Sequence, residues 1–191
     1  MLRTLPLCLV LAGLFLWVLT AGTEIPFFTL VAIAIHETGH LLAARLLRLK
    51  PSGITADTIG IRLWFCDTPI SYGKEIALCA AGPAANLLSL LPILPLRDGK
   101  AAFFFSISIA LALLNLLPIE GFDGGRILHS TLSLFLAPAY ADRISDLSSF
   151  LFLFVLWCIS VYLIMRTGNE LSLFFFSASL FFRIFLQKRE A

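Results

Sequence analysis

Residues 26–49 read PFFTLVAIAIHETGHLLAARLLRL, and the fold of the whole chain turns on how they are understood. The stretch is long enough to cross a bilayer, which takes about 20 mainly apolar residues. Yet its middle holds His36-Glu37-Thr38-Gly39-His40. Residues four apart share a helix face, so the two imidazoles can bind one metal ion while Glu37 reaches a water on it. The alternative is a pair of hydrogen-bonded histidines packed against neighbouring helices. The apolar setting favours the metal. An ionisable group at the centre of a membrane helix costs roughly 2.5–3.5 kcal/mol, so three titratable groups within five residues need a compensating partner.

Composition supports the bilayer. Of 191 residues, 59% are apolar and 14% charged, with 18 phenylalanines, against about 45–50% and 25% in ordinary globular chains. Disorder, collagen and extended soluble repeats are excluded. A net charge of +2, spread between apolar runs, excludes a nucleic-acid partner. Cys8, Cys66, Cys79 and Cys158 form no CxxC pair and read as small packing residues.

Six apolar segments, 5–22, 26–49, 75–96, 101–118, 146–166 and 170–187, predict an all-α polytopic membrane protein with about six transmembrane helices. The first segment reads as a retained helix because it lacks a clear A-x-A cleavage site. Ile59, Ile61, Leu63 and Phe65 alternate with Gly60, Arg62 and Trp64, the period of a strand. A short membrane-associated β-hairpin after the second helix is therefore expected. Residues 124–140 read as an interfacial helix that stops at Pro138. The chain is expected to be one integral membrane domain, 1–191.

Basic residues favour cytoplasmic loops. With the N-terminus inside, all but Arg97, Lys100 and Arg166 of the 14 Lys and Arg residues lie on the cytoplasmic side, as do both termini. In that arrangement His36 lies roughly 15 Å down the second segment, at 1.5 Å per residue. The fourth segment runs the same way and delivers Asp123 at its inner end.

A catalytic zinc wants a third protein ligand and an open position for water. Asp123 stands out within residues 115–125, NLLPIEGFDGG, where Pro118 ends an apolar helix and the paired glycines free the backbone to turn a carboxylate back. The bland alternative is a polar turn in which Asp123 caps the next helix. With zinc, Asp123 and Glu37 would form a formally neutral cluster, which suits a low dielectric. His129 reads as an interfacial residue without a role, or as a partner to a metal ligand.

Together HETGH at 36–40, GPAAN at 82–86 and NLLPIEGFDGG at 115–125 resemble, in order and spacing, the site-2 protease family of intramembrane zinc metalloproteases. The likeness covers roughly residues 26–128, the implied catalytic core. Segments 5–22, 146–166 and 170–187 are additions to it. The compact build is similar to the stage IV sporulation FB type, here expected without its C-terminal CBS domain and without a PDZ-like insertion. The resemblance implies that His36, His40 and Asp123 bind Zn2+, that Glu37 is the general base, and that Gly82 and Asn86 serve substrate binding. It departs in having Leu116 where the family often has Pro, and in carrying Glu120, a competing ligand, near Asp123.

The implied reaction is hydrolysis of a peptide bond within or next to the transmembrane segment of a membrane protein substrate, in the bacterial cell membrane. A regulatory membrane partner is an expectation of the same kind. The 59–65 strand is expected to receive the unwound substrate by edge pairing. Two other readings stand beside the protease: an ion or proton transporter whose path the same residues line, and a non-catalytic membrane scaffold.

Overall fold

The computed structural model describes residues 24–49, 51–57, 60–65, 70–95, 98–167, 171–182 and 184. The expected first helix, 5–22, lies outside them. The chain divides into two compact units, Met1–Asn115 and Leu116–Ala191.

In the first unit, helix α1 (Ile25–Leu46) is followed by strands β1 (Pro51–Asp57) and β2 (Gly60–Phe65), then by α2 (Tyr72–Leu88) and α3 (Gly99–Asn115). Helix α1 packs along α2, and α3 lies against both. Ala32, Leu90 and Phe104 form a buried cluster with Phe28, Ile35 and Ile93 around it. The helix pair approaches closely because small residues face each other. A Cβ on Gly39 would sit 2.5 Å from the Ala81 carbonyl oxygen and 2.7 Å from Ala85 Cβ, so only glycine fits there.

Helix α1 ends without a glycine. Arg48 takes φ 55, while the Arg48 N–H donates to the Arg45 carbonyl and the Leu49 N–H to the Ala44 carbonyl, the pattern of a Schellman cap. At the other end, Glu24 pairs with Lys100 at 2.6 Å, bringing the start of α1 beside the start of α3. The two helices therefore run in the same direction.

In the second unit, α4 (Asp123–Phe135), α5 (Pro138–Thr167) and α6 (Leu171–Phe181) follow one another, with α4 against α5 and α5 against α6.

Of the expected fold class, all-α with about six transmembrane helices and a membrane-associated hairpin, the number of spanning helices is corrected. Among the described residues only Pro26–Leu46 and Pro138–Arg166 are long and apolar enough to span. The third segment fails because α2 stops at Leu88 and gives way to turns through residue 95, where Pro92 and Pro95 lack the N–H that a helix needs. Helix α3 is apolar but short, and α6 is described over only 11 residues. Pro138 was expected to end an interfacial helix. Instead the helix ends at Phe135 and Pro138 opens α5, a 30-residue helix. A proline is tolerated in the first turn, where its missing N–H would have no partner anyway.

Residues 51–57 and 60–65 pair antiparallel, Ile54 opposite Leu63 and Thr55 opposite Arg62, with an irregularity between Pro51 and Gly53. The strand expected over residues 59–65 is thus present as β2, paired with β1.

Candidate metal centre

His36 and His40 lie one helical turn apart on α1, inside the first unit. His36 is buried, and His40 and Glu37 are half-buried. The two rings stand nearly perpendicular, at 82°, with their Nε2 atoms 3.1 Å apart. Two Zn–N bonds of about 2.0–2.1 Å at the tetrahedral angle would set such nitrogens roughly 3.3 Å apart. The imidazoles thus already hold nearly the spacing of two donors on one ion.

Helix α2 makes that arrangement. His40 Nδ1 lies 2.9 Å from the Leu78 carbonyl oxygen, so Nδ1 carries the proton and Nε2 keeps its lone pair for a metal. Pro83 lies inside α2, where its ring disturbs the hydrogen bonds of the preceding turn. Gly82 makes room for the rings: a Cβ there would lie 2.4 Å from His40 Nε2 and 2.8 Å from His36 Cε1. Asn86, fully buried, places Nδ2 3.4 Å from His36 Nδ1.

Asp123 belongs to the second unit. It is the first residue of α4, buried at 9% exposure. Phe122, with extended backbone, is the N-cap, so Asp123 is not the cap residue that the bland reading supposed. A carboxylate in the first turn is favoured by the helix dipole.

The loop ahead of Asp123 is held from α5. The Glu120 N–H donates to Ser149 Oγ at 2.8 Å, and Ser148 Oγ donates to the Pro118 carbonyl at 3.0 Å. Ile119 and Phe122 are buried, and Phe122 stacks on Phe176. Gly121 has φ 101, a conformation that glycine adopts without strain.

The paired glycines act differently from the expectation. Neither Gly124 nor Gly125 has positive φ. A Cβ on Gly124 would strike the Leu116 carbonyl, and one on Gly125 the Ile119 carbonyl. They supply close approach rather than freedom to turn.

Glu120 is exposed, which is unlike a buried metal ligand. His129 Nε2 lies 2.9 Å from Asp142 Oδ1 within the second unit, a pairing that the sequence reading did not anticipate. The reading also missed Leu78, whose contribution is a backbone oxygen. It missed Ser148 and Ser149 as well, although an adjacent serine pair in an apolar helix was a visible signal.

Residues 100–159 match peptidase family M50. The match runs from the start of α3 into α5 and includes Asp123. Over nearly its whole length, 95%, the chain superimposes on 85% of the Site-2 Protease from Methanocaldococcus jannaschii, with a TM-score of 0.63 and 19% identity. The structural likeness shows a shared fold, and the family match covers 60 of the 191 residues. No curated protein sequence matches it. Site-2 proteases are integral membrane proteins, and family M50 consists of zinc metalloproteases.

Proposed function

We propose that this chain is a site-2-type zinc endopeptidase that cuts a membrane protein within or beside its transmembrane segment. The observation that carries the reading is the pair of Nε2 atoms 3.1 Å apart on α1, with His40 anchored through Nδ1 to α2. His36 and His40 would each give one imidazole nitrogen, and Asp123 is proposed as the third ligand, as the likeness of its motif implies. Two imidazoles and one carboxylate suit zinc, and leave a coordination position open. Zinc bound there supplies Lewis acidity and makes water acidic near pH 7.

Glu37, next to His36 in sequence, takes the proton of the attacking water and returns it to the leaving amide nitrogen. The two carboxylates balance a +2 ion, so the assembled site is formally neutral and tolerates an apolar setting. Before cleavage the substrate helix must open locally, because an intact helix shields its peptide bonds with its own hydrogen bonds. The chain acts as a multi-pass protein of the bacterial cell membrane with both termini cytoplasmic, and a membrane partner regulates it.

Cleavage of a single-span reporter carrying helix-breaking residues in its span, measured in proteoliposomes, tests this reading. A strong chelator is expected to abolish cleavage, and added zinc to restore it. Cleavage that survives complete metal removal would contradict the assignment.

A further inference from the structure

The hydrogen bonds around His36 have a direction. Because His40 Nδ1–H donates to the Leu78 carbonyl, His40 Nε2 is an acceptor, and in the metal-free site the 3.1 Å contact is a hydrogen bond only with His36 Nε2 as donor. His36 Nδ1 is then the acceptor for the amide of Asn86, at 3.4 Å. In this arrangement the proton sits on the wrong nitrogen of His36 for metal binding, since Nε2 must present its lone pair. At the same time Asn86 Oδ1 is buried without a hydrogen-bond partner, although the residue is fully enclosed. A buried acceptor left unsatisfied costs about 1–3 kcal/mol.

The tautomer conflict disappears if the Asn86 amide turns by about 180°, which brings the unpartnered Oδ1 to the one polar contact the amide makes. Oδ1 then faces His36 and accepts from Nδ1–H, and Nε2 is freed for the ion. From this geometry we infer that Asn86 is a positioning residue for His36: its amide oxygen selects the metal-binding tautomer, as the Leu78 carbonyl does for His40. The two ligands on α1 are thus both oriented from α2, eight residues apart along that helix. The inference rests on the zinc-site reading and assigns Asn86 to the ligand rather than to the substrate.

Zinc dissociation constants of the detergent-solubilised full chain, measured by chelator competition, test it without any substrate. Asn86→Leu removes the acceptor and is expected to weaken zinc binding about 10–100-fold, the usual effect of losing a group that orients a metal ligand. Asn86→Asp keeps an acceptor and is expected to stay close to wild type. Nitrogen NMR of histidine-labelled wild type gives a second readout, with only three histidines to assign. With zinc bound, His36 is expected to be protonated at Nδ1 and ligated at Nε2. This measurement decides the matter if the leucine variant does not fold.

Wild-type affinity in a folded Asn86→Leu chain, or ligation of His36 through Nδ1, would overturn the inference while leaving the protease intact. A wild-type chain that binds no zinc would overturn the underlying reading instead.

Discussion

Glu37→Gln is expected to lower peptide-bond cleavage by about 10²–10⁴-fold, the range for loss of a general base, while zinc per chain stays at the wild-type level. The two side chains have nearly the same shape, and Glu37 is not among the proposed ligands. The glutamine amide still fits beside His36 on α1 but takes no proton from water. Cleavage of the single-span reporter and metal analysis on the same preparations give both quantities. Unchanged cleavage would remove Glu37 from the mechanism. Parallel loss of zinc would instead make it part of the metal-holding group.

Gly82→Ala is the second large effect, and it comes from space alone. The added methyl would come within 2.4 Å of His40 Nε2 and 2.8 Å of His36 Cε1, so the imidazoles cannot keep their spacing while α1 and α2 remain packed. Zinc affinity is expected to fall at least about 100-fold, with the chain still helical by circular dichroism. Alanine at this position would be harmless if Gly82 only lined a substrate channel. Wild-type zinc affinity in the folded variant would refute the packing explanation.

How much of this was legible in the sequence varies with the kind of signal. His36, Glu37 and His40 announce themselves because a helix repeats every 3.6 residues and an apolar segment makes titratable groups conspicuous. Gly82 and Asn86 were visible as a motif, but their contacts depend on which face of α2 meets α1, and one sequence does not carry that register. The backbone oxygen of Leu78 leaves no trace in residue identity at all.

Prolines were informative and misleading in turn. Pro92 and Pro95 mark where an apolar run stops being helical, yet the segment was counted to residue 96 because hydropathy outweighed them. Pro138 has the same chemistry but starts a helix instead. Gly121, Gly124 and Gly125 divide one label between two purposes: positive φ at the first and close backbone approach at the other two.

The count of spans failed for a related reason. Hydropathy reports how apolar a segment is, while spanning also needs length in one unbroken helix, and α3 and the described part of α6 fall short of about 20 residues. The two helices that meet both conditions, α1 and α5, lie in different units. One carries the histidines. The other anchors the loop ahead of Asp123 through Ser148 and Ser149.

The most direct measurement is zinc per chain in detergent-purified protein, wild type beside His36→Ala and Asp123→Asn, each checked for folding. Close to one zinc per wild-type chain, falling sharply in both variants, is the expected result and would establish donors from both units on one ion. A well-folded wild-type chain without zinc would contradict the metalloprotease assignment.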